Sequence, residues 1–384
     1  MKILMFSLDN SLAKDNASTS SDTFKRLVLL SKGFERIDVL VPTNLFKKNM
    51  TDHEKVSIFT CHGKGKLRFF SLYKQAKELL KKDKYELVVT NDAILGFLAL
   101  ILRKKYNFKL NINVFGSEFY NREWYKQRIF HYILGFLARF AIKRADSIRT
   151  DTLKARDLMV KVDKIPKKNI TIIPVVPSQD TVDHFLKGKR DEAFRKVFLK
   201  DKFNFLILSV THLEDCKDVP NLLQAIHECV QKYPKMKLLI VGDGERREET
   251  KKMIIELNLK ENVELLGSLE YQKLPHIYAS SDLFVISSMN EGLPRVLMEA
   301  GYTNVPVVTT DIDGAADIIE NKISGMIVPI RDSHKLAEAI IFMYNHPKER
   351  KSFAEAMHRK TLIYCDFEDS IKNIKCLWNN ICSN

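Results

Sequence analysis

Short, almost uninterrupted apolar runs, spaced by helical stretches along the whole chain, constrain this sequence more than any other feature. Leu238-Leu239-Ile240-Val241 is the clearest. With no polar residue on alternate positions, such a strand must be covered on both faces. Strand candidates in the first half are 3–6, 37–41, 87–90, 110–114, 147–150 and 170–173. Those in the second half are 205–209, 237–241, 263–266, 283–286, 307–309 and 326–328. Strands alternating with helices imply right-handed crossovers and parallel sheets, and hence an α/β, doubly wound fold. At 384 residues the chain is too long for one ordinary core and divides into two. The break falls where Pro174 and Pro177 precede the charged stretch 187–195. The predicted organisation is a first Rossmann-like domain over 1–176, a linker over 177–200 and a second Rossmann-like domain over 201–365.

The composition, 45% hydrophobic and 29% charged, is that of a folded chain. The longest apolar run, 93–102, is ten residues, whereas a spanning helix needs about 20. The start turns polar at Ser7 and Asp9, too early for a secretory signal core. Six cysteines are scattered without a CxxC pair, which predicts reduced thiols in a cytoplasm and no zinc site. The net charge of +14 suits anionic lipid, nucleic acid or phosphorylated small molecules. Two basic amphipathic segments, 64–84 and 122–144, mix Lys and Arg with Phe69, Phe70, Trp124, Ile129, Phe130 and Ile133. They read either as solvated faces over a core stripe or as surfaces for an anionic membrane. That would make the protein peripheral on the inner face of the plasma membrane, with no nucleic acid as partner.

The stretch 281–300, SDLFVISSMNEGLPRVLMEA, concentrates the chemistry. A buried strand leads through Ser287–Asn290 into a turn at Glu291-Gly292-Leu293-Pro294 and then a helix. Pro294 suits the first helical position, and Gly292 lets backbone approach a ligand. The helix start favours an anion such as a phosphate. Glu291 stands before the helix and Glu299 within it, roughly 7–8 Å along the axis. Two carboxylates at that separation suit the two ends of a sugar nucleotide; otherwise they are surface glutamates flanking a core helix.

Around this stretch lie 209–217 (SVTHLEDCK), Val241-Gly242-Asp243-Gly244-Glu245, Leu266-Gly267-Ser268, 304–317 (NVPVVTTDIDGAAD) and 325–329 (GMIVP). Their order and spacing resemble the donor-binding domain of family 4 glycosyltransferases. The resemblance covers about 200–335 closely and the N-terminal half in layout. It implies the GT-B fold, two facing doubly wound domains with an interdomain cleft, in which about 366–384 returns to the first, acceptor-binding domain. It also implies a retaining hexosyltransferase that uses no metal or other cofactor, with UDP the commonest donor base and a glycan or lipid-linked acceptor. Carried over residue by residue, Glu291 contacts the donor sugar and acts in catalysis with Lys217, which neutralises the diphosphate. Glu299 accepts from the ribose, and Gly292, Leu293 and Pro294 bring backbone amides to the sugar and diphosphate. His212 stands where the family usually has an arginine and supplies one donor instead of up to five. Gly242 belongs to the donor-binding set, Ser268 and Leu269 lie by the base, and Gly314 opens a loop expected at the distal phosphate.

On the acceptor side the resemblance points to Ser7, Gly116 and Glu118. Phe115 occupies the place of a histidine common in the family, and Ser7-Leu8-Asp9-Asn10 that of a glycine-rich loop. Asp311-Ile312-Asp313 spells a D-x-D that can hold a hard cation elsewhere, but it falls where a phosphate loop is expected. The second domain lacks a full G-x-G-x-x-G. Two alternatives remain at this level: a sugar-nucleotide 2-epimerase on the same fold, and a non-catalytic basic protein that binds polyanions.

Overall fold

The computed structural model describes residues 1–13, 21–43, 50–63, 65, 67–120, 125 and 129–383. The chain forms two compact units, Met1–Ser178 with Phe367–Asn384, and Gln179–Asp366.

The first unit is built on a sheet whose described strands run β3-β4-β2-β1-β5-β6-β7-β8. In chain order these are β1 (Lys2–Phe6), β2 (Arg36–Thr43), β3 (Met50–His53), β4 (Val56–His62), β5 (Leu87–Thr90), β6 (Lys109–Val114), β7 (Ser147–Thr150) and β8 (Ile170–Ile172). All pairs are parallel except β3 with β4. Strands β3 and β4 were not anticipated. In β4 buried Val56, Ile58 and Cys61 are interleaved with Ser57, Phe59 and His62, so this strand near the sheet edge lacks the continuous apolar signature of the central ones. The order reverses between β1 and β5, so the carboxyl ends of these two strands diverge, as at the switch point of an open α/β sheet.

The C-terminal helix Phe367–Ser383 belongs to this unit. Its apolar face buries Phe367, Ile371, Ile374, Trp378 and Ile381. Trp378 meets Phe34 with ring centroids 5.6 Å apart, and the Ser370 hydroxyl donates to the Pro174 carbonyl at 3.3 Å.

The second unit holds a fully parallel sheet of order β11-β10-β9-β12-β13-β14. Its strands are β9 (Phe205–Val210), β10 (Met236–Val241), β11 (Val263–Gly267), β12 (Leu283–Ile286), β13 (Val307–Thr310) and β14 (Met326–Val328). Relative to the sequence of strands this is a 3-2-1-4-5-6 arrangement, with its switch point between β9 and β12. Helices Val219–Lys232 and Ser333–Asn345 cover one face of the sheet through Leu222, Ile226, Leu336 and Ile340.

Residues 177–200, expected as a linker, are largely structured and begin the second unit at Gln179. They contain helices Gln179–Leu186 and Glu192–Leu199. The charged stretch misleads because one of its cations is internal. Arg195 is buried and donates to the Ser280 carbonyl at 2.6 Å and to Asp282 at 3.0 Å. The same Asp282 carboxylate accepts from the Leu206 amide of β9 at 2.8 Å. A buried ion pair whose carboxylate also accepts a backbone amide fastens the helix to the amino ends of the central strands.

Candidate functional site

The carboxyl ends of β9, β10 and β12 open into a cavity of about 440 Å³ in the second unit. Ser209 and Val210 close β9, Val241 closes β10, and Val285 and Ile286 close β12; all line it. The loops that follow are sewn together by backbone hydrogen bonds. The Met289 amide donates to the Cys216 carbonyl at 2.8 Å, and the Ser287 hydroxyl donates to the Lys217 carbonyl at 2.9 Å. On the other side the Asp313 amide donates to the Glu291 carbonyl at 3.2 Å, and the Gly314 amide to the Gly292 carbonyl at 2.9 Å.

Lys217, at the end of a short 3₁₀ turn, projects into the cavity and meets Glu291, with Nζ 2.8 Å from Oε2. The Ser288 hydroxyl donates to the other oxygen, Oε1, and the Ser288 carbonyl in turn accepts from Thr310 at 2.6 Å. Glu291 is thus oriented by a cation on one oxygen and a hydroxyl on the other.

Glu299 lies in the helix Arg295–Tyr302, and its side chain is only 4% exposed although it reaches the cavity wall. Tyr271 donates to its Oε1 at 3.2 Å, Tyr278 donates to its Oε2 at 3.1 Å, and Arg295 Nε stands 3.6 Å from Oε1. Arg295 also donates to the Tyr271 hydroxyl at 3.1 Å. Burial first, and then the Glu299 charge, push both tyrosine hydroxyls above their ordinary range, so both remain protonated donors. A cation in the first turn of a helix opposes the helix dipole. Arg295 is therefore placed for Glu299 and the cavity rather than for helix stability.

Of the predicted donor-side residues, His212, Lys217, Gly242, Ser268, Leu269, Glu291 and Glu299 line this one cavity. His212 is exposed at its rim. Gly292, Leu293, Pro294 and Gly314 form the layer beside it and are not among its lining residues. Two expectations need correction. Pro294 is the N-cap and the helix begins at Arg295; lacking an N–H, Pro294 cannot bring an amide to a phosphate. The Gly314 amide is already engaged by Gly292, and a Cβ on Gly314 would lie 2.6 Å from Leu293 Cα. Its glycine serves loop-on-loop packing. Sequence reasoning missed Tyr271, Tyr278, Ser288 and Arg295. Arg295 precedes Glu299 by one helical turn, which is the one local pattern that could have found it.

In the first unit, Ser7 and Gly116 follow the carboxyl ends of β1 and β6, and Glu118 opens a 3₁₀ turn, Glu118–Tyr120. The Ser7 hydroxyl accepts from the Asn91 amide group at 3.4 Å, and the Asn91 carbonyl oxygen accepts from Asn113 at 2.7 Å. A polar string therefore crosses the β1/β5 switch point. The Gly116 amide donates to Asp151 at 3.0 Å. Phe115 packs against the buried guanidinium of Arg149, 5.5 Å from its ring centroid, which accounts for an aromatic residue there. Trp124 and residues 122–123, 126–128, 64 and 66 of the predicted basic segments lie outside the described residues.

The comparisons with known proteins agree with this architecture. Residues 190–360 match the family described as glycosyl transferases group 1. The chain is 31% identical over 274 residues to an uncharacterised glycosyltransferase of Methanocaldococcus jannaschii, an overlap covering 69% of this chain and 66%, just under two thirds, of that relative. It is 25% identical over 339 residues to the UDP-Gal:alpha-D-GlcNAc-diphosphoundecaprenol alpha-1,3-galactosyltransferase of Escherichia coli, covering 82% and 86% of the two chains. Sucrose-phosphate synthase from Thermosynechococcus elongatus superimposes with a TM-score of 0.81 at 16% identity, over 100% of this chain and 99% of that one. Anabaena HepE in complex with UDP does so with a TM-score of 0.74 at 18% identity, over 99% and 100%. These structures establish the GT-B fold class, two Rossmann-like units.

Gly242 offers a direct check on the cavity floor. Its φ is +131°, and a Cβ there would come 1.8 Å from the Thr211 carbonyl oxygen. Gly242→Ala is expected to cost about 2–3 kcal/mol, lowering the thermal midpoint by roughly 5–10 °C. An unchanged midpoint in a calorimetric scan contradicts the packing described.

Proposed function

From the match of residues 190–360 to the glycosyl transferases group 1 model we propose that the chain belongs to that family and transfers a hexose from a nucleoside diphosphate sugar. UDP is the proposed nucleotide and a glycan or lipid-linked molecule the acceptor, the latter in line with the diphosphoundecaprenol named for the E. coli relative. The observation that carries this reading is the convergence of Lys217, Glu291 and Glu299 on one cavity at the switch point of a parallel sheet. Open α/β sheets bind their ligands there.

In this reading Glu299 takes the ribose, Lys217 the diphosphate and Glu291 the sugar. The bond between the anomeric carbon and the diphosphate oxygen breaks, with the departing charge stabilised by Lys217. The acceptor hydroxyl forms the new bond on the same face, giving retention. Its proton passes to the departing phosphate oxygen, so no separate general base is required. The first unit takes up the acceptor. Glu291→Ala is expected to lower kcat by about 10²–10³-fold while changing the Kd for UDP less than about threefold. Equal losses in both would make Glu291 a scaffold residue.

Metal independence is part of the proposal, supported by Asp311 and Asp313 standing outside the cavity lining. Transfer should persist in excess EDTA; loss restored only by Mn²⁺ or Mg²⁺ reverses this view.

We propose further that the protein docks on anionic membrane. The helix Phe130–Ile142 packs inward mainly through small residues, Gly135, Ala138 and Ala141, with Ile142 at its end. Four of its large residues, Phe130, Tyr132, Ile133 and Phe136, are exposed, as is Ile129 just before it. Tyr132 and Phe136 line a groove of about 580 Å³ together with Arg139, Lys143 and Arg144. An exposed aromatic face edged by cations suits the interface of an anionic bilayer. Among the described residues no helix is long and apolar enough to cross a membrane. Co-sedimentation with phosphatidylglycerol vesicles, but not phosphatidylcholine vesicles, is expected, and it should fall with added salt and in an Ile133→Asp/Phe136→Asp variant. Equal binding by both vesicle types, or by the variant, contradicts docking through this face.

A further inference from the structure

Glu299 reaches the cavity with almost no free surface. Two cavity-lining residues beside it, Tyr271 through a hydrogen bond and Arg295 through an ion pair, are also bonded to each other. Tyr278, its third partner, is fully buried and is not among the lining residues.

The two tyrosines are held very differently. Tyr278 sits in the helix Leu274–Ala279 with its ring against Phe185 and Phe284, at centroid distances of 5.9 and 5.0 Å. Its hydroxyl can leave Glu299 only if the core opens. Tyr271 begins a three-residue 3₁₀ turn just after the end of β11, is half-buried, and touches Phe185 edge-on at 5.5 Å. Its hydroxyl can move by a small rotation of that turn, leaving the core intact.

We propose that Tyr271 and Arg295 form a displaceable clasp on Glu299, occupying the carboxylate oxygen that a ribose diol takes when the nucleotide binds. Tyr278 is the positioning residue that keeps the carboxylate aimed while the exchange occurs. This rests on the reading of Glu299 as the ribose ligand and deepens it. A buried carboxylate left without donors would be costly. The clasp keeps Oε1 supplied with donors in the empty protein while Tyr278 holds Oε2, and nucleotide binding exchanges the clasp for the two ribose hydroxyls. The clasp also sets specificity: a sugar lacking the vicinal hydroxyls cannot replace the donor it displaces.

The two tyrosines should therefore respond with opposite signs. By calorimetric titration of the full-length protein with UDP, Tyr271→Phe should bind about three- to tenfold more tightly than the parent chain, because a competing donor has gone. The ring stays packed on Phe185, so folding is preserved. Tyr278→Phe should bind about tenfold more weakly, because the core donor that aims the carboxylate is lost. With 2′,3′-dideoxyuridine diphosphate the gain from Tyr271→Phe should disappear. Weaker UDP binding by Tyr271→Phe, or a gain that survives with the dideoxy nucleotide, overturns the clasp. Unchanged UDP binding in Glu299→Gln removes the ribose reading itself and the clasp with it. A loss in Glu299→Gln without a gain in Tyr271→Phe leaves that reading standing and rejects only the clasp.

Discussion

Parallel strands that diverge at a switch point leave a gap that no crossover helix can close, and the site in the second unit depends on that gap. Between β9 and β12 the chain must leave the sheet in opposite directions. The loops carrying Lys217 and Glu291 thus begin side by side and are drawn together by backbone hydrogen bonds such as that from Met289 to Cys216. The ion pair between Lys217 and Glu291 is a consequence of that topology.

The two carboxylates illustrate how one short segment sets two electrostatic environments. Glu291 retains some access to solvent and has Lys217 and Ser288 as partners. Glu299, one helix further along, is almost entirely enclosed and depends on two neutral tyrosine hydroxyls and a nearby guanidinium. Withdrawing a carboxylate from water costs several kcal/mol unless donors replace the water. Tyr278 repays part of that cost from within the core, and Tyr271 from the cavity side.

Much of this was legible in the residues, for reasons that differ by element. The strands of the second sheet could be read because each is buried on both faces, as in Leu238–Val241. Strand β4 could not, because a strand near a sheet edge mixes polar and apolar residues. Lys217, Glu291 and Glu299 were legible because their spacing along the chain is part of a recurring pattern. Tyr271 and Tyr278 were not, since their proximity to Glu299 arises from packing between segments rather than from spacing, and Ser288, three residues before Glu291, was passed over as one of two adjacent serines in a loop. Arg195 shows the opposite failure. In sequence it looks like one more surface charge, and only the burial of its partner Asp282 reveals that it fastens a helix to the sheet.

The departures from the family pattern in the two units have different physical origins. Phe115 replaces a polar residue beneath a buried arginine, and the guanidinium gains an aromatic face it would otherwise lack. That substitution belongs to the packing of the first unit. His212, at the position where the resemblance leads one to expect an arginine, is exposed at the cavity rim. Lys217, which lines the same cavity, is held by Glu291 with Nζ 2.8 Å from Oε2. Arg295 is held in turn by Glu299 and the Tyr271 hydroxyl, so each of the two carboxylates in the cavity wall keeps a cation beside it.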